Sequence, residues 1–217
     1  MNAAEAPVRQ IAWAAIDFEG SGPVPGSAEE AVQVGVAVLG PGRSEPEKFF
    51  RSYLRADSRI TGRARAVHRI TDADLEGAPP LALLWPEIKE RLSGAVVLAH
   101  GAGTEKRFLR AFPMHGFGPW IDTLALARAV LPALDDHSLS SVAAELGLVE
   151  DVGGLCPGLG WHDALFDAVA SLLVARAMIE RFGLQDLAVA QIAGLDAAAC
   201  ARHRAMKSLA RTAGLDE

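Results

Sequence analysis

Six residues near the start of the chain, Ile11-Ala12-Trp13-Ala14-Ala15-Ile16, are apolar without a break and run straight into Asp17-Phe18-Glu19. A run this short, stopped by Gly20-Ser21-Gly22-Pro23, is read as a buried strand over Ile11–Phe18. Side chains alternate along a strand, so Asp17 and Glu19 share one face while Phe18 points to the other. Two carboxylates at the end of an apolar strand are costly unless something offsets them. A divalent cation is the usual solution, and hard oxygen ligands select Mg²⁺ or Mn²⁺. The competing reading, a strand that has ended with its acids in water, is about equally good for this pair taken alone.

The following residues give the strand its neighbours. Val32, Val34, Val36 and Val38 alternate with smaller residues up to Leu39, where Gly40-Pro41-Gly42 turns the chain. A third strand is expected over Phe49–Leu54, which makes the opening an antiparallel meander. An irregular stretch rich in arginine follows, with Arg51, Arg55, Arg59, Arg63, Arg65 and Arg69. Helical spacing appears from Leu81 to Leu92, then a β run at Ala95–Ala99, a short helix over Thr104–Phe112 and a short strand at Trp120-Ile121. Helices are expected from about Thr123 to Leu131, after an N-cap at Ser138, and from about His162 to Arg181, ending at Gly183. Residues 153–160, with Gly153, Gly154, Pro157, Gly158 and Gly160, read as a mobile loop. The order β-β-β-α-β-α-β-α-α-α implies an α/β fold, a mixed five-stranded sheet flanked by helices. We divide the chain into an N-terminal extension (1–9), a core domain (10–183) and an Ala-rich helical C-terminal tail (184–217).

Composition narrows the function classes. The chain has 217 residues, enough to bury a substantial core, and half of them are hydrophobic. Its formal net charge of −6 rules out a general electrostatic attraction to nucleic acid, so any such contact must rest on a local basic patch and on bound metal. Cys156 and Cys200 are far apart and have no CxxC spacing, which argues against a zinc site or disulfide framework and fits a reducing cytoplasm. No uncharged stretch approaches membrane-spanning length, and no membrane partner is expected.

Two further acidic elements follow the first. His100-Gly101-Ala102-Gly103-Thr104-Glu105 comes directly after the β run at 95–99. It lacks the GK[ST] of a phosphate loop, and Glu105 alone is explained by the helix dipole. His162-Asp163-Ala164-Leu165-Phe166-Asp167 opens the last long helix, and Asp167 borders its apolar face. Taken alone, a helix cap and a boundary acid would suffice to explain it.

In combination they are specific. A DxE ending the first strand, an HxxxxE at the next strand-to-helix junction and an HxxxxD opening the last long helix occur in that order. The chain thereby resembles the DEDDh family of 3′→5′ exonucleases, the ribonuclease H-like, DnaQ-type group, over residues 10 to 182. Val67-His68-Arg69-Ile70-Thr71, Ile121-Asp122-Thr123-Leu124 and His137-Ser138-Leu139 add to the likeness. The chain departs from the family pattern with Gly20 in place of Thr, Gly101 in place of Asn, Glu105 in place of Asp and Arg69 in place of Gly.

The resemblance implies a two-metal mechanism using Mg²⁺ or Mn²⁺, two ions per site and ~4 Å apart, with release of nucleoside 5′-monophosphates. Asp17, Glu19 and Asp167 would hold one ion, Asp17 would bridge to the second, and Glu105 would serve the second. His162 would be the general base, since imidazole titrates near working pH. Gly20, Ser21 and Gly22 would seat the 3′-terminal sugar, His68 would be structural or line the substrate, and His100 would be structural. The arginines between 51 and 69 would contact phosphates of the strand. Implied partners are single-stranded DNA or RNA 3′ ends, and the resemblance leaves open a DNA polymerase that the chain would proofread or a chain that works alone. A homodimer occurs in parts of the family, although no seam in the sequence predicts one.

Two rival readings stand beside this one. A non-catalytic nucleic-acid- or polymerase-binding module on the same fold would be expected to lose a charge somewhere, yet all four acids and His162 are kept. A phosphatase of the haloacid dehalogenase type needs a second Asp and a following Thr or Val, which Asp17-Phe18-Glu19 lacks.

Overall fold

A computed structural model describes residues 3–212. Five strands form one sheet in the order β3-β2-β1-β4-β5, where β1 is Trp13–Gly20, β2 Ala31–Leu39, β3 Lys48–Tyr53, β4 Val96–Ala99 and β5 Trp120–Asp122. β1, β2 and β3 are antiparallel neighbours, while β4 and β5 run parallel to β1. This is the mixed sheet expected from the element order, with the fold of the ribonuclease H-like group.

Alternation along β1 divides the interior in two. Ala14, Ile16 and Phe18 belong to a core with Ile88 and Leu92 of α2 (Leu81–Leu92) and Phe108 and Leu109 of α3 (Gly103–Leu109), the helix α1 (Gly62–His68) lying earlier in the chain. Trp13 and Ala15 face the other way. They join α4 (Thr123–Val130), α5 (Leu139–Glu145), α6 (Val149–Leu155) and the long helix α7 (Ala164–Arg181). Asp17 and Glu19 continue the α7 face, at the end of the parallel strands.

Several boundaries differ from expectation for identifiable reasons. The arginine-rich stretch contains α1, capped by the Thr61 side chain and ended by Arg69 in the left-handed region (φ 62). Among its residues only His68 is buried, so no apolar periodicity could announce it. The expected loop at 153–160 is shortened, because α6 runs through Gly153 and Gly154 to Leu155. Helix α7 begins at Ala164 rather than His162, since Asp163 is its cap.

The C-terminal segment is helical, with α8 (Val189–Ala193) and α9 (Ala197–Thr212). Val189, Ile192 and Cys200 are buried in the same core as α7, and Val8 N–H donates to Leu187 O at 3.0 Å. Residues 1–2 of the expected extension and 213–217 of the expected tail lie outside the described residues. Among the described residues no helix is long and apolar enough to cross a membrane, and Cys156 and Cys200 are free thiols.

Candidate active site

The antiparallel register decides where the first two acids meet the last helix. Asp17 pairs with Gly35 and Glu19 with Gln33, so these two residues of β2 stand beside the acids on the α7 face. A side chain at Gly35 would overlap the Ala164 backbone, so glycine there lets α7 approach the sheet. Gln33 is fully buried. Its Oε1 accepts the Ala164 N–H at 2.8 Å and its Nε2 donates to Asp163 Oδ2 at 3.0 Å. Asp163 in turn caps the helix by accepting the Leu165 N–H at 3.1 Å, and it is paired with Arg51 of β3 at 2.6 Å. The start of α7 is thus clamped to β2 and β3, which brings Asp167 over the acids of β1.

The carboxylates that converge here are in each other's field. Burial, then Asp167, Glu105, Glu19 and Asp163, hold the Asp17 pKa well above the ordinary carboxylate range. Burial and then Asp167 push Glu19 up to about 8. Asp167 rises to about 7, chiefly through burial, against a lowering hydrogen bond from the His162 N–H at 3.2 Å. Glu105, also buried, rises to about 7 for the same main reason. One oxygen of Glu105 (Oε2) and one of Asp167 (Oδ1) are buried with no hydrogen-bond partner. Four buried acids with raised pKa values, two of them with an orphaned oxygen, suit hard divalent cations. Ligand atoms of Glu19, His162 and Asp167 all lie within 4.8 Å of one another, close enough to hold a metal ion.

His162 is exposed and adopts φ +67, a conformation a non-glycine residue adopts at a cost. Its neighbour Asp163 is fixed by Gln33 and Arg51, so the strain sits where the chain passes from the loop into the clamped helix start.

Asp122 of β5 shapes the turn that leads into the helix carrying Glu105. The Asp122 carboxylate accepts the N–H groups of Gly101 (2.9 Å) and Ala102 (3.0 Å) and also those of Leu124 and Ala125, so one side chain shapes the turn before α3 and caps α4. His100 bonds Thr123 Oγ1 (2.9 Å) and His137 O (2.8 Å), and burial lowers its pKa. It ties the second acidic element to the segment before α5 rather than facing the acids.

The turn after β1 is more committed to internal contacts than the sequence suggests. Ser21 is buried: its N–H donates to Glu30 O, its Oγ accepts the Glu30 N–H, and its carbonyl accepts from Thr61. His68 Nδ1 accepts the Ile70 N–H at 3.0 Å, so Nε2 carries the proton and donates to Gly20 O at 3.1 Å. His68 therefore acts on this turn through Gly20. The Gly22 N–H is taken by Glu29 Oε1 at 3.1 Å. The space a side chain would occupy at Gly20, where the family pattern has Thr, is filled by the Glu29 carboxylate.

Of the arginines between 51 and 69, Arg51 is diverted to Asp163. Arg55, Arg59, Arg63, Arg65 and Arg69 are exposed, and none has an ion pair among the described residues. Sequence reading missed Gln33, Gly35, Asp163, Glu29 and Asp122. For Gln33 and Gly35 a signal was present: both interrupt an otherwise apolar valine strand, on one face.

A mixed sheet of this order with four convergent carboxylates and a histidine at the end of its parallel strands defines a class, the metal-assisted phosphodiester hydrolases with a ribonuclease H-like fold. Comparison with known proteins narrows it. A family model described as exonuclease, of the ribonuclease T type, matches residues 14–175, and the chain belongs to that exonuclease family, with the DEDDh, DnaQ-like pattern. It is 29% identical over 172 residues to a DNA polymerase III subunit epsilon-like protein of Rhodobacter capsulatus, covering 77% of this chain and 24% of that protein. It is 31% identical over 125 residues to exodeoxyribonuclease 10 of Escherichia coli K12, 56% of this chain and 51% of that one. The chain thus spans only a quarter to a half of these relatives. Among solved structures, exonuclease X in complex with 5′ overhanging duplex DNA superposes with a TM-score of 0.66 at 27% identity, covering 84% of this chain and 99% of that one. The nuclease domain of 3′hExo bound to rAMP, 18% identical with a TM-score of 0.64 over 81% of this chain and 94% of that one, shares the fold.

Proposed function

We propose that the chain hydrolyses phosphodiester bonds one nucleotide at a time from the 3′ end of a nucleic acid, with two Mg²⁺ or Mn²⁺ ions held by Asp17, Glu19, Glu105 and Asp167. The observation that carries the reading is the set of four buried acids at one end of the sheet, two of them with an orphaned buried oxygen. When bound, such ions polarise the scissile phosphate and ease formation of a hydroxide nucleophile. Asp17, Glu19 and Asp167 would hold one ion, and Glu105 with Asp17 would serve the other. His162, at the mouth of the site, takes the proton from the attacking water.

The backbone of Gly20 and the turn to Gly22 seat the terminal sugar, with His68 holding the Gly20 carbonyl side of that turn. Arg55, Arg59, Arg63, Arg65 and Arg69, without an ion pair among the described residues, lie on the segment that runs to His68 and one residue past it. They form the local basic patch that an acidic protein needs to hold a phosphate backbone. The names of the relatives favour DNA as substrate and a DNA polymerase as partner. We assign the activity to residues 10–183, and the two free thiols fit a cytoplasmic protein.

The test is incubation with 5′-labelled single-stranded DNA and RNA and with Mg²⁺ or Mn²⁺, followed by sizing of the products. Shortening from the 3′ end with release of nucleoside 5′-monophosphates, abolished by chelator, is the expected outcome. Loss of the 5′ label as mononucleotide, or full activity in chelator, contradicts it.

A further inference from the structure

Glu29 lies between β1 and β2, outside the three acidic motifs. Its carboxylate is mostly buried and makes two contacts: Oε1 accepts the Gly22 N–H at 3.1 Å and Oε2 pairs with Arg107 at 2.6 Å. It also sits over Gly20, in the space a β-carbon there would need. Arg107 belongs to α3, two residues beyond Glu105. Its guanidinium lies 4.8 Å from the Phe108 ring, and Phe108 packs on Phe18, the residue between the two acids of β1, at 5.5 Å. One chain of contacts therefore joins the turn after the first acidic pair to the helix that carries the third acid.

We propose that Glu29 is a positioning residue for the substrate end: by clasping Gly22 and Arg107 it fixes the turn that receives the 3′-terminal nucleotide, and glycine at position 20 makes room for the clasp. The proposal rests on the reading of that turn as the sugar seat. The physical need is plain. The strand register slips between Glu19 and Gly20, and Gly22 is left-handed (φ +86), so the β1–β2 ladder does not carry the turn past Ser21, and its Gly22 end is held by a side chain. A loose seat must be ordered when substrate binds, and that cost appears in affinity. A charge-assisted bond to Gly22 combined with an ion pair to a helix orders it beforehand.

The geometry makes residues 20 and 29 interdependent. Gly20 has no left-handed backbone, so alanine is conformationally allowed there, but its methyl would meet the Glu29 carboxylate. That carboxylate is the far end of a flexible side chain, so it is what moves, leaving both Gly22 and Arg107. Gly20→Ala should therefore reproduce Glu29→Ala, and the double variant should be no worse than either single one.

The parent, Gly20→Ala, Glu29→Ala and the double variant are assayed on 5′-labelled single-stranded DNA with Mg²⁺, with KM and kcat resolved, and are melted without metal. Each single variant should raise KM about tenfold while kcat stays within about threefold, and the double variant should match them. An unchanged KM in Glu29→Ala, a loss confined to kcat, or a double variant showing the product of the two single effects would overturn the clasp. A parent inactive on every substrate would instead remove the functional reading. The two failures are separable, since the melting cycle reports Gly20–Glu29 coupling without any activity.

Discussion

Gln33 and Ala164 are 131 residues apart in sequence, and the Gln33 Oε1 accepts the Ala164 N–H at 2.8 Å. That bond, with the Gln33–Asp163 bond beside it, fixes the last acidic motif against the first. Gln33→Ala should leave the Ala164 N–H and part of Asp163 unsatisfied, costing about 1–3 kcal/mol in denaturant unfolding. Because the helix start is released, the Mg²⁺ concentration for half-maximal activity should rise as well. Gly35→Ala should show the same pair of effects through overlap with the Ala164 backbone, at about 1–3 kcal/mol. Unchanged stability and metal response in both variants would mean the clamp does not position Asp167.

Asp17→Asn should abolish activity and yet leave the metal-free protein at least as stable as the parent. Asp17 is buried among like charges that raise its pKa, so an amide of the same shape removes repulsion without opening a cavity. The stabilisation by Mg²⁺ or Mn²⁺ should shrink in parallel. Thermal melts with and without metal, alongside the nuclease assay, read both. A stable Asp17→Asn protein with near-normal turnover would contradict the assignment.

The raised carboxylates also predict a pH dependence with a definite sign. Between the ordinary carboxylate range and the folded values, about 8 for Glu19 and about 7 for Glu105 and Asp167, the folded chain holds protons that the unfolded chain has lost. The contribution of these groups to metal-free stability should therefore be greatest at low pH and fall as pH rises through about 7 to 8. Metal competes with those protons, so the gain in melting temperature on adding Mg²⁺ should grow from pH 5.5 to pH 8. Melts across that range, with Asp17→Asn as control, check the trend, and a metal gain that shrinks with rising pH would contradict it.

His162 has two measurable consequences. As the base at the mouth of the site, His162→Ala should lose most of its turnover while still binding oligonucleotide. Its left-handed backbone adds a second: His162→Gly should be about as inactive but more stable than His162→Ala, by about 1 kcal/mol. Since its ring lies within 4.8 Å of Glu19 and Asp167 ligand atoms, metal affinity must be measured in both variants. A collapse of affinity along with rate would make it a ligand rather than a base.

Glu105 is the acid that departs from the family pattern by one methylene. Glu105→Asp should stay within about tenfold of the parent, about 1.4 kcal/mol in barrier, because Gly101 and Gly103 allow the backbone to adjust. Glu105→Gln should cost far more, since it removes the charge meant for the second ion while keeping the buried shape. Assays at limiting Mg²⁺ separate the two, and full activity in Glu105→Gln would leave Glu105 as a helix-start acid.

The sheet, most of its flanking helices and the three acidic motifs were legible in the sequence because each is local, while α6 was read in part as loop because of Gly153 and Gly154. Period-two apolarity writes a strand, 3.6-residue spacing writes a helix, and an acid at the end of either is visible in its own ten residues. Helix α1 escaped because only Ala64 and His68 among its residues turn inward, which is too little burial to leave a readable apolar pattern. What only the tertiary structure decided is which side chains stand between the motifs. The pairing of Asp17 with Gly35 and Glu19 with Gln33 is a matter of strand register. The reach of Gln33 to α7, of Arg51 to Asp163 and of Glu29 to Arg107 depends on packing across the sheet. The sequence by itself determined which acids the chain offers. Their burial, the main cause of the raised pKa values, and their approach across the sheet follow from long-range contacts that no local spacing encodes.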